Sequence, residues 1–145
     1  MRIVKNKEEI LNRLTDFHGH LGPYVVVGCR MGMIANNELG DDPFEKKAVV
    51  ETGIGPPLSC IVDGVQFSSG CTLGKGNLEI KDKGEPKVIF SAEEKSVSIT
   101  LREKTWKKID NVEDEILEQV SREIFDASSN ELFHIETKDS EFSEL

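Results

Sequence analysis

Two short segments hold most of the side chains able to do chemistry. From Cys60 to Asn77 the chain reads Cys-Ile-Val-Asp-Gly-Val-Gln-Phe-Ser-Ser-Gly-Cys-Thr-Leu-Gly-Lys-Gly-Asn. That run supplies two thiols, one carboxylate, three hydroxyls and a lysine. An earlier run, Phe17-His-Gly-His-Leu-Gly-Pro23, supplies two imidazoles. If the fold brings these runs together, His18, His20, Cys60 and Cys71 make a donor set for zinc or another divalent transition metal. Imidazole and thiolate suit such ions, and one histidine with the two thiolates would leave a fourth position open for water or substrate. Asp63 lies three residues after Cys60 and shares its face if the segment is helical. It would then be a further ligand, a group fixing a histidine tautomer, or a plain charge on the helix face.

The same residues admit a second chemistry. A Cys60 or Cys71 thiolate would act as a nucleophile, with Lys75 lowering the thiol pKa and holding a small anionic ligand. Cys60 and Cys71 are eleven apart, unlike the close pairs of a zinc ribbon, and the plain alternative for each is a small buried residue. Cys29, inside an apolar run, is read as core. Gly74-Lys-Gly76 is not a nucleotide-binding loop, because the Gly-x-x-x-x-Gly-Lys-Ser/Thr pattern is absent. Ser68, Ser69 and Thr72 are as well placed to satisfy loop backbone as to act on a ligand. His134 is read as a surface residue.

The elements that must position these groups can be traced along the chain. Asn6 with Glu9 resembles a capping box, and Ile10, Leu11, Leu14 and Phe17 fall at helical spacing. The spacing predicts a first helix from about Lys7 to Asp16 or a little beyond. Pro23 suits a helix start, Gly40 a stop, and the run between is apolar almost all round, so a buried helix is expected over Tyr24–Leu39. Gly28 and Gly32, four apart, would let another backbone pack close to it. Lys47–Thr52 reads as a strand, and Ser59 as the cap of a short helix over Cys60–Phe67. Three further strand-like runs, Leu78–Lys81, Lys87–Ser91 and Ser96–Leu101, are expected to form an antiparallel meander. Asn111 is expected to cap a helix carrying Val112, Ile116, Val120 and Ile124, with a last strand near His134–Thr137. Helices before and after a strand meander indicate an α+β fold, with buried helices on an antiparallel sheet.

Bulk properties narrow the function classes. The 145 residues fit one domain, 1–145, with residues 140–145 expected to fray. The net charge of −9 argues against a nucleic-acid partner and against docking on anionic membranes. No apolar run reaches the roughly 20 residues that span a bilayer, and the N-terminus has no apolar signal region. Three cysteines and no signal point to a cytoplasmic protein with reduced thiols.

Taken together, Phe17-His-Gly-His-Leu-Gly-Pro23 with Gly28 and Arg30-Met-Gly32, and Cys60-Ile-Val-Asp-Gly-Val-Gln66 with Ser69-Gly-Cys-Thr-Leu-Gly-Lys-Gly-Asn77, resemble the FmdE family, which takes its name from a component of formylmethanofuran dehydrogenase. The resemblance covers about residues 14–101. It implies an α+β protein, commonly dimeric, associated with tungsten or molybdenum enzymes that reduce carbon dioxide onto methanofuran. It also implies a metal site on His20, Cys60 and Cys71, with His18 beside them. Two positions depart from the family pattern. Leu21 stands where many relatives have a cysteine, and no cysteine follows Cys71, so the C-terminal zinc ribbon of some relatives is not expected. The expected function is that of a homodimeric metal-binding accessory to the other dehydrogenase subunits or to a related metalloenzyme. A stand-alone metal- or thiol-dependent enzyme and a metal or cofactor chaperone are the alternatives.

Overall fold

The computed structural model describes residues 6–139; the tail expected to fray at 140–145 lies outside them. Helix α1 runs Lys7–His18. The Asn6 side chain accepts the Glu9 N–H at 2.8 Å, and Gly19, at φ 112°, ends the helix in the left-handed conformation that glycine adopts without penalty. Helix α2 runs Pro23–Leu39 and is buried along its whole first half. Helix α3, Cys60–Ser69, lies directly against it.

The α2–α3 contact depends on small residues. A Cβ on Gly28 would stand 2.1 Å from the Ile61 carbonyl oxygen, and one on Gly64 would stand 2.1 Å from the Val25 oxygen. Gly32 lies equally close to the Ser68 side chain. The backbones therefore touch, and the glycines four apart in α2 receive a helix of the same chain. The nearly all-apolar character of α2 is explained within one protomer: α3, α5 (Leu117–Asp126) and the sheet pack around it. Arg30 is the exception among its buried residues. Its Nη1 donates to the carbonyls of Ile124, Phe125 and Ala127 at 2.7–2.8 Å, closing the last turn of α5.

The sheet has five strands in the order β2-β1-β3-β4-β5. They are β1 Lys47–Val50, β2 Leu78–Ile80, β3 Lys87–Ala92, β4 Lys95–Leu101 and β5 Phe133–Asp139. Val88 and Phe90 of β3 pair with Ile99 and Val97 of β4, so one face of the hairpin is continuously apolar and buried. The α+β class holds, but the simple meander does not. β2 pairs parallel with β1 at the opposite side from β3. A parallel pair needs a crossover, and the chain between β1 and β2 supplies one in α3.

Two local expectations also change. Helix α4, Glu103–Asp110, precedes Asn111, whose side chain donates back to the Lys107 carbonyl at 2.8 Å. Asn111 thus closes one helix instead of opening the next. A short 3-10 turn, Asp114–Ile116, leads into α5, which buries Val120 and Ile124 as its spacing predicts. Helix α6, Ser129–Leu132, carries a full capping box between Ser128 and Glu131. Among the described residues no helix is long and apolar enough to cross a membrane.

Candidate functional site

Local breaks in the helices place the site. Gly19 stops α1 immediately after His18, and Gly22 with Pro23 starts α2, so the His-Gly-His segment is a tight corner between two helices. A Cβ on Gly22 would lie 2.9 Å from the exposed His20 ring, which would have to turn aside to admit it. Helix α3 begins at Cys60 beside this corner. His18 Nδ1 stands 2.6 Å from Asp63 Oδ2, one turn into α3. That hydrogen bond crosses 45 residues of sequence and holds His18 in one orientation. The His18 and His20 rings are 5.1 Å apart between centroids.

His18, His20 and Cys60 share one cavity of about 220 Å³. Its far side comes from α4 and the segment leading to α5, including Ile109, Asp110 and Asp114. Tyr24, buried at the start of α2, donates its hydroxyl to Asp110 Oδ1 at 2.8 Å. Burial, then the Asp110 carboxylate, pushes the Tyr24 phenol far above its ordinary value. Sequence reasoning missed both residues. Tyr24 is the only tyrosine and follows the Pro23 helix start, a polar tip where an apolar residue would suffice. Asp110 carries no local signal at all.

Cys71 and Lys75 are not part of this cavity. Helix α3 has ten residues, about 15 Å at 1.5 Å per residue, and it separates Cys60 at its start from Cys71 just past its end. Metal–ligand bonds of about 2.0–2.3 Å cannot bridge that span. The expectation that both thiols bind one ion is therefore corrected. Cys71 is fully buried in the core. Lys75 Nζ donates to the Gly70 carbonyl at 2.8 Å and lies over the Phe44 ring, at the end of α3 away from the cavity. The glycine loop wraps its own chain: a Cβ on Gly70 would meet Pro43 at 2.4 Å, and the Asn77 amide donates to the Pro43 and Lys46 carbonyls.

Neither thiol is activated as the nucleophile reading requires. Burial, reinforced by the Asp63 charge, pushes the Cys60 thiol up. Burial also pushes the Cys71 thiol up, against the pull of a Ser69 hydrogen bond and of Lys46 and Lys75. Both therefore favour the protonated form in the absence of a metal.

As a metal-binding set, the residues fit in kind. A histidine whose Nδ1 is tied to a carboxylate presents Nε2 as a lone-pair donor, the usual arrangement behind metal-bound imidazole. His20 and Cys60 add a second imidazole and a thiol at the same cavity. As the side chains stand, no three His, Cys, Asp or Glu residues among those described converge to hold an ion.

Residues 17–138 match the family described as FmdE, Molybdenum formylmethanofuran dehydrogenase operon. The chain belongs to the FmdE family. The match takes in both sides of the cavity, from His18 to the segment before α5. The fold is similar to that of an FmdE-like protein from Syntrophus aciditrophicus, named for tungsten formylmethanofuran dehydrogenase, with a TM-score of 0.69 and 25% identity. That alignment covers 91% of this chain and 71% of the other. A protein of Archaeoglobus fulgidus named "Probable S-adenosyl-L-methionine-binding protein" is 35% identical over 105 residues. The match takes in 69% of this FmdE chain and spans only a quarter, 25%, of that relative's length.

Proposed function

We propose that this FmdE protein binds one zinc-like divalent ion through His18, His20 and Cys60, and serves as an accessory to formylmethanofuran dehydrogenase or a related tungsten or molybdenum enzyme of one-carbon metabolism. The observation that carries the metal reading is the 2.6 Å His18–Asp63 bond beside His20 and Cys60 in a single cavity. Family membership supports the accessory role, since the family takes its description from a dehydrogenase operon. A bound divalent ion would act there as a Lewis acid. Asp63 orients His18, and Pro57 and Val25 line the cavity beside His20 and Cys60. The protein is read as a cytoplasmic homodimer, and exposed Phe17, Phe44 and Leu73 offer apolar surface to a second copy.

The test is metal analysis of the full chain purified without chelator, with His18→Ala and His20→Ala alongside. About one ion per chain in the parent and a strong loss in both variants is expected. An ion-free parent after zinc reconstitution refutes the metal reading. Co-purification with the large tungsten or molybdenum components tests the accessory role separately.

A second reading, binding of S-adenosyl-L-methionine, is favoured by the name of the Archaeoglobus relative. The cavity, at about 220 Å³, is smaller than the roughly 300–1,000 Å³ usual for drug-sized ligands, which weighs against the whole molecule fitting. Calorimetric titration with S-adenosyl-L-methionine separates the two readings.

A further inference from the structure

The mouth of the cavity has a definite charge. Asp110 and Asp114 border it on the side opposite the imidazoles, and both are exposed to solvent. Asp110 is held in place by the buried Tyr24 hydroxyl, which donates to its Oδ1 at 2.8 Å. Asp63 stands behind His18 as a third carboxylate. No lysine or arginine occurs among the described lining residues, and Lys75 is engaged at the far end of α3. Between the charged groups the wall is apolar, with Val25, Pro57, Ile109 and Val112.

Resting on the reading of this cavity as the working site, we propose that it takes a small organic cation, an alkylammonium or sulfonium group, anchored on Asp110. The apolar wall receives the alkyl part, and the two rim carboxylates receive the charge. A volume of about 220 Å³ is worth about seven waters at roughly 30 Å³ each, enough for a ligand of roughly ten heavy atoms. A bound metal does not reverse the preference. A divalent ion held by one thiolate and two neutral imidazoles carries a single net positive charge, against three carboxylates. An anion entering by the same mouth passes two carboxylates and meets no cationic side chain among the described lining residues.

The test uses two probes of nearly equal size and opposite charge, n-propylammonium chloride and sodium propionate. Each is titrated into the full chain while the backbone amide resonances of Val25, Ile109 and Leu117 are followed by NMR. Saturable shifts with propylammonium and none with propionate are expected. Asp110→Asn keeps an oxygen for Tyr24 to bond, and should weaken the cation about fivefold, the scale of a partly screened charge pair. Added salt should weaken binding to the parent protein as well. Propionate binding as tightly as propylammonium, no saturable shift with propylammonium, or unchanged affinity in both Asp110→Asn and Asp114→Asn would overturn the proposal. Metal content is read on the same samples. Full metal with a preference for propionate sinks the cation proposal alone; propylammonium binding without metal sinks the metal reading alone.

Discussion

The contact between α2 and α3 is the joint on which the site turns, and Gly64→Ala perturbs it directly. The new Cβ would lie 2.1 Å from the Val25 oxygen, 2.4 Å from the Cys29 nitrogen and 2.8 Å from the Gly28 carbonyl carbon. Ordinary contact begins at 3.4 Å, so the helices must part by about 1.3 Å. All three obstacles are backbone and cannot rotate away. Overpacking a core costs about 1–3 kcal/mol, and a clash with backbone on several sides belongs at or above the upper end. Alanine is a better helix former than glycine by about 1 kcal/mol, which offsets part of the cost. A net loss of about 2–3 kcal/mol follows, or about 5–10 °C in melting temperature for a domain of this size. Urea and thermal unfolding followed by the fluorescence of the only tryptophan, Trp106, measures it. Gly74→Ala is the control, because nothing lies within 4 Å of its Cβ position, and it should stay within about 0.5 kcal/mol of the parent. A Gly64→Ala protein that melts with the parent would refute the close-contact argument. Because α3 carries both Cys60 and Asp63, the same substitution should also loosen the His18–Asp63 pair and lower metal retention.

Other perturbations follow from single contacts. Arg30→Leu strips the donor from three carbonyls at the end of α5 and should cost about 3 kcal/mol, read as a drop in the urea midpoint; an unchanged midpoint contradicts the capping role. Tyr24 has a folded-state pKa above its unfolded value, so its contribution to stability is complete below the ordinary phenol range near 10 and is lost as pH rises through the folded value. Tyrosinate absorbance, which reports this residue alone, should therefore appear only with alkaline unfolding, and an ordinary phenol titration of the folded protein would count against the buried Tyr24–Asp110 bond. Thiol labelling of the metal-stripped native protein should modify Cys60 slowly and leave Cys29 and Cys71 untouched until unfolding, since both are fully buried; rapid labelling of Cys71 would contradict its place in the core.

Where a local pattern carries the physics, the sequence is readable. Asn6 with Glu9, Pro23 with Gly40, and the alternation through β3 and β4 each report a hydrogen bond or a buried face formed by near neighbours. Helix α4 escapes because only Trp106 and Ile109 mark its inner face amid charged residues. The placement of β2 escapes because its partner is chosen by the α3 crossover, which no property of Leu78–Ile80 reveals. In the site, the meeting of His18 with Cys60 and Asp63 is legible as two unusual clusters needing one another. Cys71 misleads because closeness along the chain stands in for closeness in space, while α3 sets the two thiols at opposite ends. Its glycine loop wraps tightly, as such composition suggests, but around Pro43 and Lys46 instead of a ligand. The Tyr24–Asp110 bond joins residues 86 apart and has no local trace.

One comparison reaches the centre of the account: zinc content per chain in Cys60→Ser and Cys71→Ser, both reconstituted and exhaustively dialysed. Loss of the ion from the first and its full retention in the second is the predicted result, with Cys71→Ser showing only reduced thermal stability. Retention in Cys60→Ser, or loss from a folded Cys71→Ser, would contradict a metal site at the α1–α2 corner.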